Sequence, residues 1–288
     1  MSSILSRGFL LGRAVFKSID DAVLKSPGTL SLPDNDYWLQ GHKVEAVKLD
    51  RFHRLVHWPQ AHSPFLHPCY PQILAFPLHL QLLTQTDFPF KLLGLVHISN
   101  EIQQVRAISR DEKLDIRAYV ANIAGHRLGL TFELVTEVWI EQQRVWCAKG
   151  TNLFRCENTG NEKAGTLNVE PAQGDGEIAE SWQLDSSLGR LYAKVSGDYN
   201  PIHLYPISAK LLGFKRHIAH GMCSKSRCLS ALATSGTEAF NTVVKFQKPI
   251  FLPSKVNFLH HQGPDSTNFS LKANEGGESH LSGTWITL

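Results

Sequence analysis

Residues 192–222 read YAKVSGDYNPIHLYPISAKLLGFKRHIAHGM. Their centre, SGDYNPIH at 196–203, decides how the rest of the chain is read. Gly197 permits a tight turn, and Pro201 keeps Asn200 away from helical backbone. This segment is therefore expected to be a rigid loop, neither regular helix nor strand. Asp198 and His203 stand five residues apart across it. Such a loop can hold a carboxylate and an imidazole side by side, a pair suited to proton transfer or to orienting one water. Seventeen residues beyond His203 comes His220-Gly221-Met222. A helix starting at Gly221 would point a backbone N–H at a developing oxyanion. A base, a partner imidazole and an electrophilic donor together suit chemistry beside a thioester carbonyl.

The stretch resembles the hydratase signature of MaoC-like proteins, which are similar to (R)-specific 2-enoyl-CoA hydratases and 3-hydroxyacyl-thioester dehydratases. A D-x-N-P-x-H core is matched by Asp198, Asn200, Pro201 and His203. A G-F-x-x-x-I-x-H-G-M portion is matched by Gly213, Phe214, Ile218, His220, Gly221 and Met222. The resemblance implies an α+β hot-dog fold, a curved antiparallel sheet wrapped around one long helix. It is strong over residues 181–260. In the N-terminal half, YPQILAFPLHLQLLT and FPFKLLGLVHISNEI resemble the first hot dog of double hot-dog members, without any D-x-N-P-x-H. The implied organisation is a noncatalytic, pocket-shaping half at 1–156, a linker at 157–180 and a catalytic half at 181–288. One departure is Tyr205, where the family often carries Asp two residues after the motif His; a phenol there bears on the pocket mouth.

Each site residue has a blander alternative. Asp198 alone would be a turn residue capping its own backbone; with His203, Gly221 and the family pattern it becomes a catalytic candidate. His203 takes the second proton-handling role, and which of the two handles which proton stays open. Gly221 is either a steric requirement at a helix start or the oxyanion donor. Asn200 and Ser196 are supporting residues of the loop. Lys210, Lys215 and Arg216 are either contacts to the phosphates of the thioester head group or solvated surface. His220 is expected to pack or to hydrogen-bond the loop, whereas His97, Asn100 and Arg106 are weak pocket candidates.

The resemblance implies syn hydration of trans-2-enoyl thioesters to (R)-3-hydroxyacyl thioesters, or the reverse dehydration. Coenzyme A or acyl-carrier phosphopantetheine would enter as part of the substrate, with no separate cofactor and no metal; G-x-G-x-x-G and H-E-x-x-H are absent. A hot-dog thioesterase and a noncatalytic acyl-thioester-binding protein are the alternatives. The expected partners are acyl-CoA or acyl carrier protein. The chain is expected as a monomer with tandem halves or as a homodimer.

Outside the motif, alternation predicts strands at 114–122, 129–140 and 144–154 in the first half, with a turn at 141–143. In the second half it predicts strands at 180–184, 240–246, 255–261 and 280–287. The segment 129–140 has the period of a half-buried strand. Helices are expected at 220–232 and at 71–84, the latter kinked at Pro77. The GLVHISNEIQQVRAI run, expected as a strand leading into another, is the counterpart of FNTVVKFQKPI at 240–250, which suggests a repeat.

Composition sets the remaining bounds. With 288 residues and 42% apolar content, the chain can bury a large core, which excludes global disorder. A net charge of +3 does not suggest a nucleic-acid binder. Five Cys without a C-x-x-C pair argue for a reducing compartment and against structural zinc. The charge-poor run 55–86 is broken by five prolines and cannot be a membrane span. The basic, Ser-containing start is expected as a surface helix and faintly resembles an organelle transit peptide. A cytoplasmic location is the primary expectation, with organelle import as the alternative.

Overall fold

A computed structural model describes residues 30–156, 178–233, 239–274 and 277–288. The expected N-terminal surface helix and most of the 157–180 linker lie outside the described residues. In chain order the first half contains β1 (Asp36–Lys43), α1 (Ala46–Leu55), α2 (Tyr70–Leu74), α3 (Phe76–Leu83), β2 (Val96–Gln104), β3 (Lys113–His126), β4 (Gly129–Ile140) and β5 (Gln143–Arg155). The second contains β6 (Ile178–Leu184), α4 (Leu188–Ser196), α5 (Pro206–Leu211), α6 (Gly221–Leu232), β7 (Phe240–Phe246), β8 (Ser254–Gln262), β9 (Thr267–Ala273) and β10 (Ser279–Thr287). Because β6 opens at Ile178, the last three residues of the expected linker are already strand.

All ten strands form one antiparallel sheet in the order β1-β3-β4-β5-β2-β7-β10-β9-β8-β6. From either edge inward, each half repeats the same plan: first strand, then a three-strand meander, then the strand that follows the helices. The repeat suggested by the two apolar runs is thus a repeat of topology. Those runs meet at the seam, where Asn100 pairs with Val244 and Ile102 with Thr242. Joining the halves there covers two strand edges that would otherwise offer unpaired backbone groups. The first run supplies only β2, since residues beyond Gln104 leave the sheet.

The predicted 71–84 helix is broken rather than bent. Pro77 lacks an N–H and sits in the first turn of α3, where none is needed, and Ala75 separates α3 from α2. The β4–β5 turn is two residues, Glu141 and Gln142, both in the left-handed region at φ 49° and 67°. That matches the strand twist better than the three-residue turn read from sequence.

Strand β4 is buried on both faces rather than half-buried. Phe132, Leu134 and Val138 enter the core on one side. On the other, Glu137 is covered by Arg117 and Arg144, with Arg144 Nη1 donating to its carboxylate at 3.0 Å. The paired cations make burial of that carboxylate tolerable.

Helix α6 carries the second half's core. Cys223, Cys228 and Leu229 pack with Val244, Leu252, Val256, Phe258 and Phe269. Among the described residues no helix is long and apolar enough to cross a membrane.

Candidate active site

The site grows out of the end of α4. Gly197 caps that helix in the left-handed conformation at φ 80°, and three side chains then fold the loop by bonding two residues ahead. Asp198 N–H donates to Ser196 Oγ at 3.1 Å, Asn200 N–H to Asp198 Oδ1 at 3.1 Å, and Ile202 N–H to Asn200 Oδ1 at 3.3 Å. Short polar side chains favour such turns. Ser196 and Asn200 are therefore organisers. Asp198 Oδ1 is engaged by the loop, which leaves Oδ2 to face the site.

A 3-10 turn at Pro201–His203 then places the imidazole. His203 Nδ1 lies 2.9 Å from the Ile218 carbonyl. A carbonyl can only accept, so Nδ1 carries the proton and Nε2 keeps its lone pair. The backbone pairing of Ile218 N–H with the Ile202 carbonyl at 3.0 Å holds the two segments together. Behind the loop, α4 approaches so closely that a Cβ on Gly189 would stand 1.9 Å from the His203 carbonyl oxygen. Only glycine fits there.

His220 is the N-cap residue of α6. Its Nε2 donates to the Asp198 carbonyl at 3.1 Å and lies 3.7 Å from Oδ2. Its ring stacks on that of His203 at 3.6 Å and packs against Tyr192 at 4.8 Å. Asp198, His203 and His220 each place one polar atom within 4.8 Å of the others. The side chain of Asp198 is 32% exposed while His203 and His220 are 8% and 3% exposed, so the carboxylate faces the opening and the imidazoles lie beneath.

Burial pushes the His203 pKa below the usual histidine value, against the pull of Asp198 and the Ile218 carbonyl. His220 is driven well below it by burial and by His203, with the Asp198 carbonyl opposing. Both rings are neutral near pH 7, and His203 Nε2 is the available base.

Gly221 opens α6 and is solvent-accessible. Its N–H has no partner among the described residues, and the helix dipole points its positive end there. A Cβ on Gly221 would meet the Phe246 ring at 3.0 Å. That ring lies 5.0 Å from the ring of His97, on the other side of the seam.

Residues 176–279 match the MaoC like domain. Over 220 residues the chain is 33% identical to 3-hydroxyacyl-thioester dehydratase X of Mycobacterium tuberculosis, covering 75% of this chain and 76% of that protein. The chain belongs to the MaoC-like family. A crystal structure of HtdX from the same organism matches with a TM-score of 0.76 at 28% identity, over 88% of this chain and 100% of that one. A MaoC-like dehydratase from Phytophthora capsici shares the fold, with a TM-score of 0.75 at 18% identity over 90% and 96% of the two chains.

In this MaoC-like chain the structure brings Asp198, His203, Asn200, Ser196 and Gly221 into one region. Lys210, Lys215 and Arg216 point to solvent and share no ion pair among the described residues. Tyr205 is 56% exposed beneath the Arg190 guanidinium at 4.9 Å. Arg106 pairs with Glu112 at 2.7 Å, a surface role rather than a pocket one. His97 keeps Nε2 buried without a partner, and burial with Lys225 lowers its pKa to about 4. Sequence reasoning missed Gly189, Phe246 and Lys225. A lysine four residues into a helix whose other residues, Arg227 apart, are small or apolar was the visible signal for the last.

Proposed function

We propose that this protein catalyses the reversible syn hydration of trans-2-enoyl thioesters to (R)-3-hydroxyacyl thioesters. The observation that carries the reading is the His203 tautomer: its Nδ1 proton is committed to a carbonyl, which leaves Nε2 basic on a ring that places a nitrogen within 4.8 Å of the Asp198 carboxylate. In hydration, Asp198 and His203 hold one water. A proton passes from that water to the pair as its oxygen bonds to C3. Electron density moves to the thioester oxygen, to which the Gly221 N–H donates a hydrogen bond; one such donor is worth roughly 3 kcal/mol. The pair then delivers a proton to C2 on the same face. Dehydration runs the steps backward.

The thioester is one of coenzyme A or of a carrier's phosphopantetheine, and no further cofactor enters this scheme. The acyl chain is proposed to run from Gly221 past Phe246 toward the first half, where Leu78, Leu80 and Leu82 of α3 are buried. Each buried CH₂ would contribute about 0.8 kcal/mol. The 33% identity to a 3-hydroxyacyl-thioester dehydratase supports the same reading.

The test is loss of enoyl absorbance with crotonyl-CoA and longer 2-enoyl-CoAs, with free thiol followed in parallel. Hydration removes the conjugated band and releases no thiol. Free CoA with an intact 2,3 bond would instead establish attack at C1, a thioesterase reaction.

A further inference from the structure

We propose that the exposed face of α5, beside the catalytic loop, is a docking surface for an acidic carrier protein that presents the acyl chain on phosphopantetheine. The inference rests on the hydratase reading and chooses between its two thioester sources.

Two observations carry it. The first is apolar exposure in one place. Ile207 and Leu211, one helical turn apart on α5, are 75% and 82% exposed. Tyr199, Tyr205 and Leu212 are exposed beside them in the sequence. The helix does not float: Ala209 is fully buried beneath it, and Ser208 Oγ donates to the Pro201 carbonyl at 2.7 Å. The face is thus fixed to the turn that carries His203.

The second is charge. From Tyr199 to Thr237 the chain contains no Asp or Glu. Lys210, Lys215 and Arg216 stand exposed in this stretch without ion pairs among the described residues. Exposed aliphatic side chains accompanied in the sequence by unpaired cations and no carboxylate complement a negatively charged protein with an apolar spot.

The combination separates the candidate occupants. The phosphates of coenzyme A would use the cations but have no use for two protruding aliphatic side chains. A second copy of this chain, docked through the same face, would set the three cations against themselves. An acidic carrier uses both features, and a tethered thioester delivered here arrives next to Asp198 and His203.

The experiment compares 2-enoyl-CoA with the same acyl group on an acidic holo-carrier protein, using the full chain. Ile207→Ser/Leu211→Ser changes only exposed side chains outside the catalytic machinery. It should lower kcat/KM on the carrier substrate at least about 10-fold and leave the CoA substrate within about twofold. Lys210→Glu should also weaken the carrier reaction, and added salt should weaken it in the wild type. Equal effects on both substrates, or none on either, overturn the docking surface. Carrier binding is measured by calorimetry in the same variants. If neither thioester turns over, the hydratase reading fails while carrier binding still decides the docking. Self-association lost in the double variant, or binding to anionic vesicles with none to the carrier, would assign the face to another occupant and reject the proposal.

Discussion

The Lys225 ammonium on α6 lies 2.5 Å from Asn100 Oδ1 on β2, so a buried cation ties the two halves together at the seam. It also donates to the Asn100 carbonyl at 3.1 Å, and Asn100 in turn donates to Gln72 at 3.3 Å. Lys225 is fully buried, and among the described residues it forms no ion pair. Burial lowers its pKa from 10.5 to about 8, with Cys69 and Glu101 pulling the other way.

A pH signature in stability follows. Between about 8 and 10.5 the unfolded chain binds the Lys225 proton more tightly than the folded one. Stability therefore gains from this residue as pH rises through that window, by at most about 1.4 kcal/mol per pH unit. Urea denaturation of wild type and Lys225→Met across the window should show the wild type gaining on the variant. A constant difference between them would remove the argument.

Asp198→Asn keeps the loop's Oδ1 acceptor and removes the carboxylate; His203→Ala removes the base. Each should lower kcat at least about 10²-fold. Circular dichroism should remain native, and binding of an unreactive acyl-CoA analogue should change far less than turnover. Near-wild-type rates in both folded variants would reject the pair.

The acid limb of hydration should fall below the ordinary histidine pKa. In the proposed mechanism His203 is the neutral base; burial lowers its pKa, so activity should be held as pH drops through 6.5 and be lost only below. A kcat/KM profile from pH 4 to 8, the range about the ordinary histidine value, measures this. A limb centred above 6.5 would contradict a buried His203 base.

Gly221→Ala retains the backbone N–H but drives a methyl into Phe246. Displacement of the donor should lower kcat roughly 10-fold, and adding Phe246→Leu should restore most of it. Failure of rescue would mean that the glycine acts through something other than this contact.

Local chemistry was legible in the sequence because its causes are local. Ser196, Asp198 and Asn200 each cap a group two residues ahead, and Gly197 and Pro201 restrict their own dihedrals, so the loop could be read from eight letters. The limits of α6 and of β4 followed from periodicity for the same reason. Contacts between distant residues decided the rest. Lys225 and Asn100 are 125 positions apart, and no pattern in either neighbourhood announces the other. The burial of Glu137 depends on arginines from β3 and β5, which the half-buried period of β4 by itself does not show. His220 became the partner of Asp198, and His203 acquired its tautomer, only when the 218–220 segment folded back across the loop. The sequence by itself determined which groups the site contains and the turn that presents them. The tertiary structure decided their protonation, their depth and the joining of the halves, because burial and carbonyl placement are properties of the packed sheet and not of neighbouring letters.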